Sequence, residues 1–151
     1  MDDATAKWRQ AGQVHLWRYA TNSHGRHLTA DEVACESLLH LLALMRVAEF
    51  TAKQTIALTP FAADELPAAN FPGRFHTYRH WHLVHSKPKH AADHWQLTTD
   101  DNQITLEVGA TRLDELRQGI ENVRRGIGDY HIGTEGMELW FWWSVRKPRA
   151  T

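Results

Sequence analysis

The stretch "HWQLTTDDNQITLEV" (His94 to Val108) decides how this chain is read. Two alternating runs flank Asp100, Asp101 and Asn102, whose short polar side chains bond the local backbone and tolerate turn geometry. The spacing predicts an antiparallel hairpin. Strand side chains alternate between faces, so Trp95, Leu97, Ile104, Leu106 and Val108 are expected to point into a core. Gln96, Thr98, Gln103, Thr105 and Glu107 are then expected to point away.

Downstream, Leu113, Leu116, Ile120, Val123 and Ile127 form one apolar stripe at helical spacing, with Asp114 and Glu115 expected in its first turn and Arg124 and Arg125 in its last. Gly126 is the expected residue just past that helix. "DYHIGTEGMELWFWWSV" (Asp129 to Val145) reads as a last hairpin turning at Gly133 and Gly136.

Upstream, "HTYRHWHLVH" (His76 to His85) reads as one strand, preceded by the proline-rich segment Pro60 to Phe75, long enough to act as a covering loop. "QTIALT" (Gln54 to Thr59) is a short strand, and "QVHLWRYA" (Gln13 to Ala20) is the first. Between them, Thr29 with Glu32 three residues on has capping-box spacing, which opens a deeply packed helix running to about Phe50. The order β-α-β-β-β-β-α-β-β implies an α+β fold: a two-layer sandwich of about 6–7 mostly antiparallel strands with two helices on one face, in a single domain over residues 1–151. The other face of such a sheet is free to stay open.

Alternation sorts the remaining strands. Val14 and Leu16 go inward with Leu139 and Phe141; His15, Trp17, Tyr19, Tyr78, His80, His82, Trp140 and Trp142 collect on the open face. A patch that rich in aromatics marks an interface or a ligand groove, because Tyr and Trp join an apolar body to a polar tip. The expected function is a binding or interaction module, adaptor-like or immunity-like, working through that face on a protein partner or by self-association as a homodimer. The alternative is a small enzyme or ligand-binding protein with a pocket under the Pro60 to Phe75 segment, for which His80 and His82 are the candidate, weak metal ligands.

The chemistry available is limited. His80 and His82 form H-x-H on a strand, which suits two ligands on one metal. That tripeptide is similar to the one in cupin metalloenzymes; the glutamate and glycines that accompany it there are absent here. A catalytic zinc needs three protein ligands, so no metal site and no cofactor is expected. The ending G-x-G-D-Y-x-I-G followed by L-W-F-W-W resembles small bacterial domains and assigns no residue a role. Cys35 reads as a packed, inert thiol, and Glu32, Glu36 and His40 as a polar helix stripe. His24, Arg26 and His27 approach a helix start, where Asp31 and Glu32 already answer the dipole.

Composition bounds the rest. A net charge of -1 over 151 residues argues against a nucleic-acid binder. The single cysteine fits a reducing compartment, and "MDDATAKWRQAG" (Met1 to Gly12) has no apolar leader core. The apolar run Leu38 to Met45 is too short to span a bilayer. A cytoplasmic protein without nucleic-acid or membrane partners is the expectation.

Overall fold

The computed structural model describes residues 4–19, 25–60, 75–86, 92–127 and 130–142, and of Tyr19, Phe75 and Tyr130 the backbone alone. In chain order the elements are α1 (Ala4–Lys7), β1 (Val14–Tyr19), β2 (Arg26–Ala30), α2 (Glu32–Val47), β3 (Ala52–Ala57), β4 (Phe75–Thr77), β5 (His80–His85), β6 (Trp95–Asp100), β7 (Gln103–Val108), α3 (Ala110–Arg124), β8 (Tyr130–Ile132) and β9 (Leu139–Phe141). The class is α+β. Among the described residues, two mixed sheets and three helices take the place of the expected single antiparallel sheet with two helices. The first sheet has the order β4-β1-β2-β9-β8 and the second β3-β5-β7-β6.

Two parallel pairs make the sheets mixed, β2 with β9 and β5 with β7. Each arises where a hairpin docks by its second strand: β7 inserts between β5 and β6, and β9 between β2 and β8. Alternation fixes which way a side chain points and carries nothing about which strand lies alongside.

The segment His76 to His85 is not one strand. It breaks at Tyr78 and Arg79 and passes from the first sheet to the second. The Tyr78 amide bonds to the Leu16 carbonyl at 3.1 Å, while the Arg79 amide bonds to the Asn102 carbonyl at 2.7 Å. The sheets meet again where the Thr59 amide bonds to the Val14 carbonyl at 2.8 Å.

One contiguous apolar cluster joins the inner faces of both sheets to α2 and α3. It contains Leu16, Leu28 and Phe141 from the first sheet, Trp81, Leu83 and Leu106 from the second, and Leu38, Leu42, Leu116 and Ile120 from the helices. The hairpin residues Trp95, Leu97, Ile104, Leu106 and Val108 are all buried, as their alternation requires. Phe141 lies directly over Gly119 of α3, where a Cβ would stand 2.4 Å from the ring.

The start of α2 departs from the sequence reading. Thr29 belongs to β2, and the cap is Asp31, whose Oδ1 accepts from the Ala34 amide at 2.8 Å and Oδ2 from the Gln13 amide at 3.0 Å. The helix stops at Val47, and Val33, Val47 and Phe50 stay exposed. Its buried residues, Ala34, Cys35, Leu38, Leu41, Leu42 and Met45, form one stripe rather than a surrounded rod.

Candidate functional site

The back of the first sheet carries a row of rings. In register across four strands stand Trp17, His27, Trp140 and His131. Directly opposed residues share a face and touch. Trp17 stacks on His27 with centroids 5.6 Å apart, His27 on Trp140 at 6.3 Å, and His131 tilts against Trp140 at 4.4 Å. His15 and Thr29 oppose each other one step along the same face. Trp142 follows β9 there, its amide bonded to the Leu28 carbonyl and its ring 6.0 Å from His27.

The row is graded from inside to outside. Trp17 is 0% exposed and His27 8%; Trp140 and Trp142 are half-buried; His131 is exposed. Trp17 lies on the back of the sheet, on the face it shares with His27. His131 ends beside an open cleft of about 410 Å³, shared with Arg112, Glu115, Gln118, Ile132 and Gly133.

His27 is the electrostatic centre of the row. Burial, reinforced by the Arg26 charge beside it, lowers its pKa from 6.5 to about 4. The ring is therefore neutral near pH 7. The Trp142 indole N–H donates to His27 Nδ1 at 2.9 Å, which places the imidazole proton on Nε2. His15 Nδ1 lies 2.5 Å from the Thr59 carbonyl, which holds that ring across the joint between the sheets.

The sequence-based surface therefore divides. His15, Trp17 and Tyr78 were expected outside and are buried, at 3%, 0% and 1% exposure. For Tyr78 the cause is the break between β4 and β5, which turns its ring inward against the parity of a continuous strand. For His15 and Trp17 the face is as expected, but that face is itself covered. The Tyr19 side chain, and the Pro60 to Phe75 segment apart from its two end residues, lie outside the described residues. Trp140 and Trp142 occupy the expected face of the last hairpin and reach the surface.

His80 and His82 stand elsewhere, on the outer face of the second sheet with Gln103 and Thr105. His82 Nδ1 meets the Thr55 hydroxyl at 2.9 Å and Nε2 meets Gln103 Oε1 at 2.7 Å, so both ring nitrogens are engaged. His80 is exposed at a polar cleft of about 360 Å³ lined with Arg79, Asp100, Asp101, Asn102 and Gln103. Among the described residues no three of His, Cys, Asp and Glu gather as metal ligands. Cys35 is buried; burial first and the Asp31 charge second push its thiol up to about 12, and it stays protonated.

The central ring of the row, His27, is not among the residues that the sequence reading assembled on this face. The alternation of Arg26, Leu28 and Ala30 against His27 and Thr29 is present in the sequence, but the stronger capping pattern of Thr29 and Glu32 hid it. His131, opposite Trp140, is legible once the last hairpin is set in register.

No known protein-family model matches this chain, and no curated protein sequence does. Among the described residues no helix is long and apolar enough to cross a membrane.

Proposed function

We propose that this chain is a binding module, adaptor-like or immunity-like, that holds a protein partner on the back of its first sheet through His131, Trp140 and Trp142. The observation that carries this reading is the grading of the ring row. Trp17 and His27 are locked below, so Trp140 and Trp142 are presented at the surface with little side-chain freedom left to lose. Half-buried tryptophans held in this way are the residue type that dominates interface energetics. No charged side chain interrupts the row, and the cleft beside His131 gives a partner a concave edge to enter.

A small-ligand site behind the same sheet is the second reading. It is favoured by Thr29, buried on that face with its hydroxyl unbonded, next to the polar rings of His15 and His27.

The test of the first reading is a titration calorimetry series with a partner recovered from the cell of origin. Trp140→Ala is expected to weaken binding tenfold or more, which is about 1.4 kcal/mol or more, with the thermal melt retained. Equal affinity for the variant would sink the reading.

A further inference from the structure

The two edges of the second sheet are treated unequally. On β3 the outward backbone is closed by carboxamides: Gln10 Oε1 accepts from the Ala57 amide and Gln10 Nε2 donates to the Ala57 carbonyl, both at 2.8 Å. Gln54 Oε1 takes the Thr55 amide, also at 2.8 Å. Side chains here stand in for a further strand. On the other edge, β6, no group among the described residues bonds to the outward backbone.

The outward groups can be identified. The hairpin closes with Asp100 opposite Gln103 across a two-residue turn, and the Gly109 amide bonds to the His94 carbonyl. In an antiparallel ladder bonded pairs recur at every second residue, so His94, Gln96, Thr98 and Asp100 face β7. The amides and carbonyls of Trp95, Leu97 and Thr99 face out. Open edges are usually defended by lysine, proline, a bulge or a cover. The run "WQLTTD" has no lysine, arginine or proline, and its register with β7 is unbroken over six residues. Gln96, Thr98, Thr99 and Asp100 are all exposed.

We infer that β6 pairs with β6 of a second copy of this chain, antiparallel about a two-fold axis at Leu97, making one eight-stranded sheet from two four-stranded ones. The register is self-complementary. Leu97 meets Leu97 of the partner subunit, Gln96 meets Thr98 of the partner subunit, and Asp100 meets His94 of the partner subunit. Three outward residues on each strand supply the bonds, and no two like-charged side chains fall opposite each other across the axis; His94 already stands 4.0 Å from Glu107 of its own chain. A heterologous extended peptide would satisfy the backbone equally but has no reason to match this side-chain order. The contact is separate from the tryptophan surface on the first sheet.

Light scattering over a concentration series tests it with four proteins. The wild type is expected to approach twice the monomer mass as concentration rises. Thr99→Pro removes one outward amide and leaves the ladder to β7 intact; it is expected to weaken dimerisation at least tenfold. The pair Gln96→Lys and Thr98→Lys sets lysine against lysine across the axis, does not touch the backbone, and is expected to do the same. Trp140→Ala is expected to dimerise as the wild type does. A wild type that stays monomeric into the millimolar range would overturn the inference. So would folded lysine variants that dimerise unchanged, or a dimer lost with Trp140→Ala.

Discussion

The indole N–H of Trp142 donates to Nδ1 of His27 across 115 residues of sequence, tying the last strand to the second. That bond needs a neutral imidazole, and burial supplies one.

Acid is therefore expected to loosen the back of the first sheet. The folded pKa of His27, about 4, lies below the unfolded value of 6.5. Its contribution is complete above pH 6.5, falls as the unfolded state takes up its proton below that, and levels off once the folded state protonates near pH 4. The loss across the window is on the order of 3 kcal/mol. Denaturant titrations at pH 7 and pH 5 should show the drop in the wild type and a smaller one in His27→Gln; equal drops would remove His27 as the cause.

Asp31, not Thr29, caps α2. Asp31→Ala leaves the Ala34 and Gln13 amides without their acceptor and is expected to cost about 1–2 kcal/mol. Thr29→Val replaces a buried, unbonded hydroxyl by a methyl group and is expected to be neutral or stabilising. Thermal melts that rank the two the other way would restore the cap to Thr29.

Gly119→Ala should destabilise, against helix propensity. Alanine is ordinarily the better helix residue by about 1 kcal/mol. Here the new Cβ would meet the fully buried Phe141 ring at 2.4 Å, and overpacking of this kind costs about 1–3 kcal/mol. Adding Phe141→Leu to the variant should recover part of the loss; strict additivity in the double-mutant cycle would argue against the contact.

The fold should not depend on metal. His82 uses both ring nitrogens on Thr55 and Gln103, which leaves His80 as the free imidazole of the pair. Chelation is expected to leave the melting temperature unchanged. Stoichiometric zinc surviving dialysis, or a large fall in melting temperature on its removal, would contradict this.

How much of this was legible follows from what each signal encodes. Alternation gave the buried faces of the β6–β7 hairpin residue by residue, and the helical stripe gave α3 through Val123, with Gly126 beyond its end at φ 83°; Ile127, the last residue of the expected stripe, lies past the helix and is exposed. Neither signal carries strand order, so β7 and β9 as central strands could not be read. Two local patterns misled. Thr29 and Glu32 imitate a cap inside a strand, and the unbroken alternation of His76 to His85 hides a change of sheet at Tyr78. Trp140 and Trp142 were placed on the outward face because their hairpin is local. His27 was not, because its role comes from neighbours more than a hundred residues away.

The binding surface itself is tested most directly by photocrosslinking in the cell of origin, with a benzophenone amino acid placed at position 131. Position 53, exposed on the second sheet, serves as the control. The account expects one discrete adduct to another protein from position 131, none from position 53, and loss of the adduct when Trp140→Ala is added. No adduct from position 131, or one that persists unchanged with Trp140→Ala, would contradict it.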